Sequence, residues 1–206
     1  MSAPLIDGIV LAGGQSQRMQ GPDKAWVDLA GMPLIERAVC ALAPQVDRMF
    51  ISTNRDPGPY LRLGVPVADG SSHAGAGPLA GVLAGLQASE AEWLAVAPCD
   101  TPFLPRGWVQ RLHIQAVRAG SPVAIATYDG LRQPVCMLVH LTCRSDLQAA
   151  LDQGIRKVGQ WQRQLGAIEV AFDAEPTETF MNINTMEDLA RAQAQAFAAS
   201  RSGRTS

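Results

Sequence analysis

The chain has 206 residues, of which 47% are hydrophobic and 17% charged, with a formal net charge of −2. That length and balance predict one globular domain with a real core, and argue against a disordered or fibrous chain. No basic tract or spanning apolar run of roughly 20 residues is present, so long nucleic acid and the membrane are excluded as expected partners.

In chain order, residues 6–11, apolar apart from Asp7, predict a buried strand. Residues 33–43 predict a helix with Pro33 in its first turn and Pro44 after its end. Strands are predicted at 48–53 and 65–68, then a proline-opened helix at 78–89 and a short apolar strand at 93–97. A helix at 106–119 precedes strands at 123–128 and 135–139, joined by a turn at Asp129-Gly130. Helices at 144–153 and 157–165, a strand at 168–172 and a final helix at 185–199, capped by Thr185, complete the pattern. One domain over 1–199 and a frayed tail over 200–206 are expected. Strand–helix alternation with short connections predicts a three-layer α/β/α sandwich, Rossmann-like, on a mostly parallel sheet.

Ligands in such folds bind beyond the carboxyl ends of the strands. Leu11, Ala12, Gly13, Asn54, Asp69 and Asp100 all fall just after predicted strands. The four cysteines, Cys40, Cys99, Cys136 and Cys143, lack C-x-x-C spacing and are expected as reduced core residues. His73, His113 and His140 lack a metal-ligand rhythm and are expected at the surface or as satisfied core residues. The start of the chain lacks a basic segment followed by an apolar signal core, which predicts a cytoplasmic protein.

The loop after the first strand carries the most chemistry. Leu11-Ala12-Gly13-Gly14 ends the apolar run, and Arg18 and Lys24 follow. Glycines let backbone approach phosphate oxygens, and backbone N–H groups with two cations suit a polyphosphate. The spacing matches neither G-x-x-x-x-G-K-[ST] nor G-x-G-x-x-G. Pro98-Cys99-Asp100-Thr101-Pro102 places a carboxylate at a strand end between two prolines. Mg²⁺ takes one or two protein carboxylates together with phosphates, which makes Asp100 the candidate ligand. Helix capping is the alternative role for Asp100, and turn formation is the alternative for Asn54 and Asp69.

The L-A-G-G-x-S-x-R-M loop with its following lysine resembles the signature loop of nucleotidyltransferases. Together with Gly77-Pro78-Leu79-Ala80-Gly81, the P-C-D-T-P segment and Asn182-Ile183-Asn184-Thr185, it is most similar to the molybdenum cofactor guanylyltransferases, the MobA family. The resemblance spans roughly residues 6 to 195. One departure is Arg18-Met19-Gln20-Gly21, where the family often has R-M-G-G.

The resemblance implies transfer of GMP from GTP to molybdopterin, with release of pyrophosphate. It implies Arg18, Lys24 and Asp100 as catalytic residues and Asp100 as the Mg²⁺ ligand, with Mn²⁺ as a substitute. Leu11, Ala12, Gly13, Gly14, Lys24, Asn54, Asp69, Gly77, Pro78, Leu79, Gly81 and Asp100 would bind nucleotide. Arg156, Lys157, Asn182 and Asn184 would face the acceptor. Transient partners implied are molybdopterin-loading proteins, a small accessory GTPase and recipient molybdoenzymes, with the chain itself a monomer. Two other readings stay open: a nucleotidyltransferase that uses CTP or a sugar phosphate, and a non-catalytic GTP sensor.

Overall fold

The computed structural model describes residues 4–13, 23–176 and 178–202. Arg18 and Gly14, both singled out above, lie outside them. A seven-stranded sheet runs through the molecule in the order β5-β4-β1-β6-β8-β7-β9. Its strands are β1 (Ile6–Leu11), β4 (Met49–Ser52), β5 (Val65–Val67), β6 (Trp93–Pro98), β7 (Val123–Tyr128), β8 (Leu131–His140) and β9 (Ile168–Ala171). The pairs β1–β4, β1–β6, β4–β5 and β7–β9 are parallel, and β8 alone runs against its neighbours β6 and β7. The mostly parallel sheet is therefore as the sequence predicts.

Strand β1 shows why its sequence is apolar but for one buried, partnered carboxylate, Asp7, which accepts from Ser89 Oγ at 2.7 Å. Val10 points into one core and Ile9 and Leu11 into the other, so both faces are covered. Helices α1 (Leu34–Leu42) and α3 (Trp108–Ala119) cover the first face through Ile35, Leu42, Trp108 and Leu112. Helices α2 (Pro78–Ala88), α4 (Arg144–Asp152) and α5 (Val158–Gln164) cover the second through Leu79, Leu83, Leu147 and Trp161. A third, smaller core joins Leu29, Leu34, Ile183, Leu189 and Ala192. It ties the loop region before α1 to the start of α6 (Met186–Ser202).

Several boundaries differ from the sequence reading. Pro33 precedes α1 rather than opening it, because its ψ of 147° is extended. It belongs to a small hairpin, β2 (Asp28–Leu29) and β3 (Met32–Pro33), whose turn residues Ala30 and Gly31 both have positive φ. Strand β8 is twice the expected length. The register shift between Ile125 and Ala126 skips residues 134–136, which breaks the two-residue alternation from which a strand is read. Helix α6 runs to Ser202, three residues beyond the expected end. Cys40 is exposed, unlike the buried Cys99, Cys136 and Cys143, because it lies on the outer side of α1.

The start of α6 is a capping box. The Asp188 backbone N–H donates to Thr185 Oγ1 at 3.0 Å, and Asp188 Oδ2 accepts from the Thr185 and Asn184 backbone N–H groups at 3.0 and 3.1 Å. These donors hold the Asp188 carboxyl below its ordinary value. A depressed value in the folded state means stabilisation that is present above the unfolded value, near 4, and lost as pH falls through the folded one. Asp188→Asn is therefore expected to lower the melting temperature at pH 7. The gap to wild type should close in melts recorded at progressively more acid pH.

Candidate functional site

The sheet's connectivity reverses between β1 and β6. The chain passes from β1 outward to β4 and β5, then returns to β6 on the other side of β1. Crevices at such switch points, beyond the carboxyl strand ends, are the usual ligand sites of open α/β sheets. Here the strand ends are stitched together in register. The Cys99 backbone N–H donates to Leu11 O at 3.1 Å, Ala12 N–H to Ser52 O at 2.9 Å and Thr53 N–H to Val67 O at 2.9 Å. Residues 12–13, 53–54, 68–69 and 99–100 therefore form one continuous rim.

Asn54 and Asp69 meet on that rim. The Asn54 Nδ2 donates to Asp69 Oδ2 at 2.7 Å, and Asp69 N–H returns a bond to Asn54 Oδ1 at 3.0 Å. Each fixes the other, and Asp69 keeps acceptor capacity for a hydroxyl donor.

On the other side of β1, Lys24 is the centre. Its Nζ donates to Asp100 Oδ2 at 2.7 Å and to Asn184 Oδ1 at 2.7 Å. The Lys24 and Asp100 side chains retain 16% and 22% exposure. An ammonium has three hydrogens. Among the described residues two are engaged, which leaves one for an anion in the crevice. Asn182 stands next to this group and accepts from Thr101 Oγ1 at 2.6 Å. Backbone bonds from Ile183 N–H to Asp100 O at 2.9 Å and Phe180 N–H to Phe103 O at 3.1 Å fasten the 180–183 strip to the carboxylate loop. Phe180 takes a positive φ of 60° while its ring is buried, so packing holds it in a conformation side chains rarely adopt.

The residues present fit a magnesium ion. Among the described residues no three acidic, His or Cys side chains cluster as a full protein cage. Mg²⁺ does not ask for one, since phosphates and water complete its shell. Asp100 is half-buried at the rim, and only its Oδ2 is engaged by Lys24. The neighbouring Cys99 is unsuited to the task. Burial, and then the Asp100 charge, push its thiol up to about 12, so it stays protonated and inert near neutral pH.

The second glycine segment serves two ends. Gly77 sits at φ 82° with open space where a side chain would be, directly before Pro78 opens α2. Gly81 instead faces the sheet: a Cβ there would collide with Ser52 Oγ and lie 3.0 Å from Leu11 Cδ2. Leu79, expected among the nucleotide contacts, is instead fully buried in the second core and offers no surface to a ligand. Gly13 differs from Gly81, since among the described residues a Cβ would come no closer than 3.9 Å, to Ser52 O. Gly13→Ala is therefore expected to melt like wild type while GTP use falls. Gly81→Val should lose about 2 kcal/mol or more of stability by overpacking, read as an earlier thermal transition. A Gly13→Ala protein with undiminished GTP turnover would mean that no nucleotide approaches Gly13.

The basic pair is not drawn into the Lys24 group. Arg156 donates to Leu151 O at 2.7 Å and Ile155 O at 3.1 Å, capping the carboxyl end of α4, and exposed Lys157 precedes α5. His73 departs from expectation as well. It is buried with Nδ1 unpartnered, while Nε2 lies 2.7 Å from Gln148 Nε2 and 3.2 Å from Asp152 Oδ1. The Lys24–Asn184 bond joins residues 160 positions apart and had no signal in the sequence beyond the two motifs taken singly.

Solved structures share this architecture. The molybdopterin-guanine dinucleotide biosynthesis protein A of Archaeoglobus fulgidus superposes with a TM-score of 0.77 at 28% identity, covering 93% of this chain and 99% of that one. The 2-C-methyl-D-erythritol 4-phosphate cytidylyltransferase of Thermus thermophilus shares the fold at a TM-score of 0.68 and 19% identity, with 91% and 97% covered. The protein is a nucleotidyltransferase by class. A family model described as the MobA-like NTP transferase domain matches residues 8–167, and the chain belongs to that family. A molybdenum cofactor guanylyltransferase of Cupriavidus pinatubonensis is 41% identical over 191 residues, covering 89% of this chain and 94% of that protein. One of Shewanella piezotolerans is 37% identical over 182 residues, with 88% and 89% covered.

Proposed function

We propose that the protein transfers GMP from GTP to molybdopterin, giving the guanine dinucleotide cofactor and pyrophosphate. The observation that carries the reading is Lys24, which joins the strand-end carboxylate Asp100 to Asn184 of the N-x-N-T segment. One cation thus stands where a nucleotide triphosphate and an anionic acceptor would meet. The names of the relatives supply the base and the acceptor.

In this reading the rim of 12–13 and the backbone at Gly77 face the guanine nucleotide. The Asn54–Asp69 pair presents a carboxylate oxygen to sugar hydroxyls. The remaining Lys24 hydrogen meets a phosphate oxygen, where a fixed cation stabilises charge that grows as pyrophosphate departs. Asp100 would hold Mg²⁺, with Mn²⁺ as a substitute, and the ion supplies charge neutralisation across the phosphates. The acceptor phosphate attacks the α-phosphorus. No side-chain base is required, because a phosphomonoester with a second pKa of about 6 is already largely ionised at pH 7. Positioning and electrostatics then carry the rate. Arg18 would supply a second cation to the triphosphate, and Arg156 and Lys157, which lie outside the Lys24 group, would supply charge for the acceptor. The reading extends to a cytoplasmic monomer that exchanges its acceptor and product with loading proteins, an accessory GTPase and recipient molybdoenzymes. Among the described residues no helix is long and apolar enough to cross a membrane.

Pyrophosphate release, measured with GTP, ATP, CTP and UTP in turn, each with and without molybdopterin, tests the reading. Release with GTP that depends on molybdopterin is expected. Preference for CTP would move the protein to cytidylyl transfer, and GTP binding without release would make it a sensor.

A further inference from the structure

The use of Lys24 depends on where its turn is anchored. The turn Lys24–Trp26 is closed by Trp26 N–H donating to Asp23 O at 2.9 Å. Asp23 Oδ1 caps it by accepting from the Ala25 N–H at 3.2 Å. The other carboxylate oxygen, Oδ2, accepts the phenol of Tyr60 at 2.6 Å and lies 3.5 Å from Arg55 Nε. Tyr60 comes from a separate turn, Gly58–Tyr60, between β4 and β5. It is 1% exposed, and its ring packs against Trp26 with centroids 5.2 Å apart. Neither Tyr60 nor Asp23 has a part in the chemistry described above.

We infer that Tyr60 is a positioning residue for the transfer reaction: its hydroxyl, acting through Asp23, sets where the Lys24 ammonium stands. Asp23 is adjacent to Lys24 in sequence, and an unrestrained carboxylate there would compete with Asp100 for the ammonium. Both Asp23 oxygens are instead engaged, one by the turn's own backbone and one by a buried phenol. The phenol is a rigid donor because its ring is locked in the core beside Trp26. A hydrogen bond to a charged acceptor is among the stronger ones. Burial, and then the Asp23 carboxylate, push the Tyr60 hydroxyl up to about 12, so it remains a donor through the neutral range. Lys24 is left to bridge Asp100 and Asn184. This inference rests on the reading of Lys24 as the phosphate-facing cation.

Tyr60→Phe keeps the ring and its packing and removes only the donor. With GTP and molybdopterin, kcat for pyrophosphate release is expected to fall about tenfold, the scale of one hydrogen bond to a charged group, with the KM for GTP within about twofold. Asp23→Asn should show the same split. The double variant should be no slower than the slower single one, since both changes cut one connection. Wild-type kcat in Tyr60→Phe, or losses that multiply in the double variant, would overturn the inference. If Tyr60→Phe does not fold, Asp23→Asn decides alone: wild-type kcat contradicts, and a kcat loss with retained KM supports. Lys24→Ala separates the two levels of the argument. Full turnover in that variant would remove the reading of Lys24 itself. Collapse there, with Tyr60→Phe and Asp23→Asn both at wild-type rate, would remove only the role given to Tyr60.

Discussion

Asp100→Asn lowers turnover by at least about a hundredfold, the cost of losing one key preorganised electrostatic group. The substitution keeps the size of the side chain and leaves the Ile183 N–H bond to the Asp100 carbonyl untouched, so the 180–183 strip stays fastened. What disappears is the negative charge that pairs with Lys24 at 2.7 Å and would hold Mg²⁺. The pair is partly exposed, and such pairs contribute about 1 kcal/mol or less. In a chain of this size that is a shift of no more than about 4 °C in melting temperature. Activity and stability therefore separate by orders of magnitude. Near-wild-type turnover at saturating Mg²⁺ would take Asp100 out of the chemistry. A large fall in melting temperature with normal turnover per folded molecule would make it a structural residue.

Lys24→Ala produces the second large loss, on the order of a hundredfold or more in kcat/KM. The Lys24 side chain is largely buried, at 16% exposure, but the surrounding turn is held by its backbone and by Asp23 rather than by the lysine side chain. The folded state should therefore survive. The two variants differ in their response to metal. Without the ammonium, Asp100 Oδ2 is no longer engaged, so raised Mg²⁺ should recover part of the Lys24→Ala activity by supplying positive charge at the same place. It should recover none in Asp100→Asn, where the ligand is gone. Equal rescue of both, in a magnesium titration of pyrophosphate release, would contradict the assignment of Asp100 as the metal ligand.

Much of this site was legible before the fold was known, for a physical reason. Strands covered on both faces are almost wholly apolar, so β6 stands out as an unbroken run and β1 as one interrupted by the buried Asp7. In an open parallel sheet, the first polar residues after such runs share one edge. Asn54, Asp69 and Asp100, each two residues past a strand end, are brought to that edge by the rule. Features that depend on distant pairing were not legible. The Asn54–Asp69 exchange of hydrogen bonds, the Lys24–Asn184 bond and the Tyr60 clasp on Asp23 each join separate elements, and no local pattern encodes them. Strand β8 was half hidden because its bulge interrupts the alternation. The β2–β3 hairpin was hidden because two-residue strands carry no period. Gly81 shows how a motif can mislead in detail. Read as part of a nucleotide loop, it is also a packing glycine that lets α2 sit against Ser52 and Leu11. His73 was expected either at the surface or fully satisfied, yet it is buried with one ring nitrogen unpartnered, which residue type alone does not reveal.

The most direct test of guanylyl transfer follows the phosphorus atoms. GTP labelled at the α-phosphate and, in a parallel reaction, at the γ-phosphate would be incubated with the enzyme, Mg²⁺ and molybdopterin, and the products separated. In-line attack on the α-phosphorus predicts α-label in a pterin dinucleotide that resists phosphatase, with all γ-label in pyrophosphate. Release of α-label as free GMP, or appearance of γ-label on the pterin, would contradict the account.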